Sequence, residues 1–376
     1  MIGRLSFHAF FLPVFEGPDE PFHLGRVVAF AETSFSSAHL GVPLPPVVAS
    51  AVESHPCGPD LHRSFSCPPF DGTGAGFNVL QVTATRPSAR TVENYENHQP
   101  PLYYWLMGAL FRFARIATGR APRIVESDLL FLRLLSVALV TLALLGPGRA
   151  IAAGWSDEMR AAVLLLLLVP GSSEALVRSS NDGALFLWCA ALVAALARGV
   201  GAGPLFFLFA IGPLIKLTAL PVIVMGVLYL CNSGRRRIAV LSAVAAITVV
   251  PVQLLRGWRW GGTYELNVAL PEIGGSLGSS LMGLLRSLYT FAKTIFWVGG
   301  WTFSRAPRPL VGAFFILIAV AAASVRVRRT RELVPHVVGV VAALGGVILL
   351  ALTNRRLFGD WGGLGGWYFW GWFPWL

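Results

Sequence analysis

The stretch "AAVLLLLLVP", residues 161–170, holds ten positions without one polar side chain. A helix on a soluble protein keeps a polar stripe along its solvent side, and this run has none. A helix that is apolar all round belongs in lipid or in a very large core. Comparable runs fill 129–146, 160–176, 183–197, 203–231, 238–255, 309–325 and 334–352. Several are shorter than the about 20 residues a full span needs. Composition decides between lipid and core. Hydrophobic residues make up 55% of the chain and charged ones 13%, against about 25% charged in a soluble domain. Mean hydropathy is +0.65. The expected fold is an all-α polytopic membrane protein, a helical bundle spanning 129–376.

One run departs from the rest. Residues 203–231 contain Pro213, Lys216 and Pro221, and are expected as two short helices or one interrupted helix. A lysine inside an apolar stretch is costly unless it is paired or snorkels. In "GPLIKLTALP" its expected partner is an anionic headgroup or phosphate.

Formal net charge is +11. The basic residues stand in short groups between apolar runs, at Arg235, Arg236 and Arg237 and at Arg326, Arg328, Arg329 and Arg331. That grouping reads as cytoplasmic loops facing anionic membrane lipid, not as a nucleic-acid surface. With Arg149 and Arg198 on the same side, segment 16–98, the stretch around Asn181 and Asp182, and loop 256–308 share the outer face. The expected location is the inner or plasma membrane, multi-pass, with the working side periplasmic or extracellular.

The ends are abrupt. "MIGRLSFHAFFLPVF" (1–15) is too short to span and reads as part of a first transmembrane helix. "GGLGGWYFWGWFPWL" (362–376) reads as a membrane helix cut short, or else as a Trp-rich interfacial tail. Truncation at both ends is the expectation. Between them, 16–128 is a long first outer loop. Its "QPPLYYWLMGALFRFARIATGR" (99–120) begins on two prolines and carries Arg112 and Arg115. An interfacial helix near 99–118 is expected, with Tyr103, Tyr104 and Trp105 at headgroup depth. "RSLYTFAKTIFWVGGWTF" (286–303) reads as a second interfacial or re-entrant helix. Cys57 and Cys67 stand in the polar part of the outer loop, as a disulfide or as two free thiols.

Three polar clusters converge on the outer face. In "FEGPDEPFHLGR" (15–26), Asp19 and Glu20 stand side by side, with His23 four residues beyond Asp19 and so on the same helical face. A carboxylate at the mouth of a bundle has its pKa raised by partial burial and can take a proton from a hydroxyl. Its neighbour can hold a divalent cation or orient the acceptor. The plainer reading is that Asp19 and Glu20 cap a helix. In "ENYENHQPPLYYW", Glu96 can bind metal with His98 or fix a substrate group, or can be a solvated loop residue. In "VRSSNDGALFLW", Asn181 and Asp182 precede a span and read first as its N-terminal cap. Arg256 and Arg259, in "LRGWRWGG", are outward phosphate candidates beside Lys216. No Walker or dinucleotide loop occurs, so no nucleotide cofactor is expected.

The segments "FEGPDEPFHLGR", "NYENHQPPLYYWLMGAL", "LFLRLLSVALV", "RSSNDGALFLW" and "GPLIKLTALP", in that order, resemble the bacterial integral-membrane glycosyltransferases of the protein O-mannosyltransferase and aminoarabinose-transferase type, the GT-C superfamily. The closest likeness is to the branch with a "PPDEPxH" signature, and "TIFWVGGWTF" is similar to that branch's aromatic stretch. The resemblance implies a GT-C-like bundle, a polyprenyl-phosphate-linked sugar donor, and inverting transfer on the outer face. It implies that Asp19 is the catalytic base with Glu20 beside it, that Glu96 is the second acidic residue, and that a divalent cation sits nearby, with His98 or His23 as ligand. Lys216, Arg256 and Arg259 would hold the phosphate. The runner-up reading is a transporter or flippase for an amphiphilic solute, which shares the broken segment 203–231. The third is a non-catalytic assembly protein of the envelope.

Overall fold

The computed structural model describes residues 1–12, 15, 19–33, 43–54, 94, 96, 99–119, 125–153, 155–261, 277–296 and 367–374, with isolated positions between 309 and 352. Every regular element among them is helical.

The longest apolar helix starts with α5 (Val125–Ala143), runs through a π-helical stretch at Leu144–Gly148, and ends in α6 (Arg149–Ala152). Glu126 and Asp128 lie in its first turn, where carboxylates meet the positive end of the helix dipole. Pro147 stands inside the π-helical stretch and removes one ladder donor there. The whole rod is 28 residues, about 42 Å at 1.5 Å per residue, enough to cross a bilayer. Near the end of the chain's middle third, α12 (Arg236–Gly261) supplies a second such window over Arg236–Gln253. A bent pair, α8 (Pro170–Val177) and α9 (Asp182–Ala197), meets at 101° and makes a third span if the two halves count as one.

Proline placement explains the breaks. The expected run 160–176 is two helices, α7 (Asp157–Leu167) and α8, because Val169 turns extended and Pro170 opens the next helix. The run 203–231 divides as anticipated. It forms α10 (Ala202–Ile215), a 3-10 turn at Leu217–Ala219, and α11 (Leu220–Asn232). Lys216 is the extended residue between them, with φ −159° and ψ 134°.

Segment 16–128 adds α2 (Glu20–Glu32), α3 (Pro46–Ser54) and α4 (Leu102–Thr118), which pack with α5 around Phe22, Val27, Met107, Phe111 and Leu132. The expected helix at 99–118 is α4. Its inner face is Tyr103, Tyr104, Met107 and Phe111, and its outer face exposes Trp105, Leu110, Phe113 and Ile116. The aromatic trio therefore splits: Trp105 faces outward, whereas Tyr103 and Tyr104 are buried, because α2 covers the side of α4 they occupy. A short α1 (Ile2–Phe11) lays Leu5 and Ala9 against α5 and α8.

A further amphipathic helix is α13 (Leu277–Phe296); its exposed face includes Leu281, Leu285 and Tyr289. The Trp-rich segment forms α14 (Trp367–Trp372), packed against α8, α9 and α13. Trp370 is wholly buried and donates its indole N–H to the Ile295 carbonyl at 3.0 Å. Trp372 donates to the Thr218 carbonyl at 2.6 Å. Buried indoles need such acceptors, and both are supplied by backbone left open at a helix end or break.

Candidate functional site

The site begins with the N-terminus of α2. Asp19 holds the N-cap position in the left-handed region, φ 64° and ψ 3°. That conformation costs a residue with a Cβ about 1–2 kcal/mol. Its carbonyl accepts the Phe22 and His23 amides at 3.1 and 3.0 Å. Its side chain makes no capping hydrogen bond, so Asp19 caps by position only. The carboxylate is half-buried and directed at two buried groups. Asp19, His23 and Glu96 each bring one ligand atom within 4.8 Å of the others.

Glu96 reaches this point from far along the chain because Arg26 and Asn94 fold its loop down. Arg26 donates to the carbonyls of Glu96 and of Gln99, the latter at 2.7 Å, and lies over the Tyr104 ring at 4.1 Å. Asn94 donates to the Phe22 carbonyl at 2.8 Å and accepts the Glu96 amide at 3.0 Å. Tyr104 completes the group. Its hydroxyl stands 2.6 Å from His23 Nδ1 and 3.2 Å from Glu96 Oε2.

Burial raises the Glu96 carboxyl to about 8, and the negative charge of Asp19 adds to the shift against the pull of Lys216 and Arg26. Glu96 is therefore protonated at neutral pH. Burial pushes His23 well below its usual range, and the charges of Lys216 and Arg178 press the same way. His23 is therefore neutral and keeps a nitrogen lone pair. Burial also pushes the Tyr104 hydroxyl up, so it stays protonated. Once Glu96 gives up its proton, its carboxylate, that of Asp19 and the neutral imidazole of His23 are spaced to coordinate a divalent cation of the Mg²⁺, Mn²⁺ or Zn²⁺ kind.

Glu20, one residue on, has a different environment. Its carboxylate is wholly buried and forked by Arg133 of α5, Nε to Oε1 at 2.8 Å and Nη2 to Oε2 at 2.6 Å. The Ser179 amide also donates to Oε1, at 3.1 Å. These three bonds tie the Glu20 carboxylate to α5 and to the α8–α9 bend.

A second ionic group lies at the α8–α9 bend. Asp182 is wholly buried and receives Arg178 Nη2, Lys216 Nζ at 2.5 Å and Ser180 Oγ at 3.0 Å. The capping expectation for this pair is corrected: Asn181 takes the N-cap position without a side-chain cap bond, and Asp182 turns to the two cations instead. Asn181 uses its amide to reach the Ile215 carbonyl at 3.2 Å and Gln99 Oε1 at 3.5 Å. It thereby joins the Lys216 break to the loop that carries Glu96. Lys216, expected against a lipid phosphate, has a carboxylate partner inside the protein. Its charge still acts on both His23 and Glu96, so the two groups belong to one electrostatic neighbourhood.

Tyr103 is buried edge-on against Tyr104, ring centroids 5.1 Å apart. Arg256 and Arg259 lie in the last turns of α12, with side chains outside the described residues. His98, Cys57 and Cys67 also lie outside them. Among the described residues, His23 is the histidine brought to the carboxylates. The sequence gives Arg26 a place beside Asp19 and Tyr104 a place at headgroup depth, but neither its partner here, and it does not single out Arg133. Arginines within or beside apolar runs were the available signal, because a buried guanidinium demands a partner.

Comparison with known protein families finds no matching family model, and no curated protein or solved structure matches the chain. The sequence and the fold identify it as a largely helical membrane protein with at least two apolar spans.

Proposed function

We propose that the chain transfers a sugar from a polyprenyl-phosphate donor to an acceptor hydroxyl at the outer membrane face, with Asp19 as general base. The observation that carries the reading is the meeting of a half-buried Asp19 with buried His23 and Glu96 at the start of α2. A base that must reach substrate has to be accessible, and its partners have to be fixed; Asp19 is the accessible member of the three.

In this reading the acceptor O–H gives its proton to the Asp19 carboxylate. The acceptor oxygen bonds to the anomeric carbon as the bond from that carbon to the phosphate oxygen breaks. The electron pair leaves with the polyprenyl phosphate, and configuration inverts. Glu96, protonated at neutral pH, accepts the Tyr104 hydroxyl and does not compete as an anion. Lys216 and Arg178 supply positive potential from the neighbouring ionic group. A divalent cation, where used, would be held by Asp19 and His23, and by Glu96 on release of its proton, and would supply neutralising charge for the leaving phosphate. The apolar outer face of α4 suits a donor whose tail stays in the bilayer.

The test is release of labelled sugar from polyprenyl-phosphate hexoses and pentoses, with the protein in proteoliposomes. Asp19→Asn should lower turnover by about 10²–10⁴-fold, the usual weight of a positioned base. Undiminished turnover in that variant would remove Asp19 from the mechanism.

One observation favours a second reading. The 101° bend between α8 and α9 and the break at Lys216 place buried charges at interrupted helices, a pattern shared with transporters of amphiphilic solutes. Movement of an intact labelled lipid between leaflets, without sugar release, would select that reading.

A further inference from the structure

We infer that Arg133 positions Asp19 by holding its neighbour Glu20. One guanidinium meets the residue after α1 and the first residue of α2. Arg133 Nη1 donates to the Leu12 carbonyl. Nε and Nη2 fork the Glu20 carboxylate, at 2.8 and 2.6 Å. Arg133 projects from a membrane span and is 3% exposed, and Glu20 is wholly buried, so water does not compete for either. Glu20 Oε1 also accepts the Ser179 amide at 3.1 Å, which fastens the start of α2 to the α8–α9 bend as well.

The backbone at Asp19 needs such a fastening. Phe15 and Asp19 both stand at positive φ, 61° and 64°, and neither is glycine. Residues held in that region persist only where surrounding contacts over-determine them. Because Glu20 follows Asp19 directly, anchoring its side chain fixes the peptide between them and so the direction of the Asp19 carboxylate toward His23 and Glu96. Three contacts from one planar group require arginine; the single ammonium of lysine cannot fork a carboxylate and reach the Leu12 carbonyl together. Arg133 is therefore a positioning residue that acts through Glu20.

The test has two arms, on wild type, Arg133→Lys, Glu20→Gln and the double variant in nanodiscs. The first is amide hydrogen exchange. Peptides covering residues 12–23, which include the Phe22 and His23 amides bonded to Asp19, should exchange about tenfold faster or more in each variant. Peptides from α9 should not change. Unchanged exchange over 12–23 overturns the inference, and so does equal acceleration throughout the chain, which would mean general loosening. The second arm is sugar release, and it rests on the transfer reading. kcat should fall about 100-fold with the donor KM little changed, because the base is misplaced and not removed. The double variant should fall no further than the worse single one. A raised KM at unchanged kcat overturns the positioning role. If the wild type releases no sugar from any donor, the transfer reading fails and the exchange arm alone decides the inference. If Arg133→Lys does not fold, Glu20→Gln, which keeps volume and shape, carries both arms.

Discussion

Glu96 shows how far one side chain is remade by its surroundings. In an unfolded chain its carboxyl ionises near 4.5; in the folded protein burial and Asp19 hold it near 8. Between those values the folded state binds a proton that the unfolded state has lost. The stability this contributes is complete below about 4.5 and is lost as pH rises through about 8. Thermal melting in detergent should therefore fall steadily from about pH 5 to about pH 9, and Glu96→Gln should flatten most of that slope. An unchanged slope in the variant would place the titrating group elsewhere. Arg26 makes a second case. It donates to two backbone carbonyls and lies over the Tyr104 face, and so shapes the Glu96 loop. The members of the motif "FEGPDEPFHLGR" divide the work unequally. Asp19 and His23 face the cluster, while Glu20 and Arg26 hold it in place. Nothing in local spacing separates those roles, because each is assigned by a partner at least 70 residues away.

At the scale of elements, the site depends on how closely α2 and α4 approach. Gly108 is the contact. A Cβ there would stand 2.8 Å from Phe30 Cβ and 3.2 Å from the Ala31 backbone nitrogen. Backbone cannot yield as a side-chain tip can, so a larger residue must push the helices apart. Gly108→Val should cost about 1–3 kcal/mol, the range for overpacking. It should also lengthen the 2.6 Å contact between His23 and Tyr104. Gly203, in α10, is the control: nothing lies within 4 Å of its Cβ direction, and Gly203→Ala should be neutral or stabilising. Melting of both variants checks the pair, and equal behaviour would mean that the α2–α4 contact is not under steric control. The helices themselves were legible. Apolar runs and prolines foretold α4, α5, α9, α12 and the break at Lys216. The split at Pro170 and the burial of the Trp-rich segment were not foretold. An apolar run says that a surface leaves water, not whether lipid or another helix covers it.

Across the described residues, the buried cations Arg26, Arg133, Arg178 and Lys216 and the buried carboxylates Glu20, Glu96 and Asp182 form a web that links α2, the Glu96 loop, α5, the α8–α9 bend and the break at Lys216. Arg133 meets Glu20 across 113 residues and Lys216 meets Asp182 across 34. The sequence marks each charge as costly in an apolar setting; only the fold says which charge answers which. Lys216 shows the consequence, since a lipid phosphate and Asp182 are equally good partners on chemistry alone. The web also predicts non-additive energetics. Asp182→Ala leaves Arg178 and Lys216 facing each other without their shared carboxylate, and should cost about 3–5 kcal/mol. Lys216→Met leaves Asp182 with Arg178 and Ser180, so it should cost less. The double variant retains Arg178, whose Nε still reaches Ser180 Oγ at 3.2 Å, and buries no unanswered ammonium. It should be more stable than Asp182→Ala alone by about 1–3 kcal/mol, the coupling expected of contacting residues. Unfolding of the four proteins in mixed micelles measures that cycle. A double variant as weak as the sum of its singles would mean that Lys216 finds an equivalent partner outside the protein, and the anionic headgroup would then return as its counter-ion.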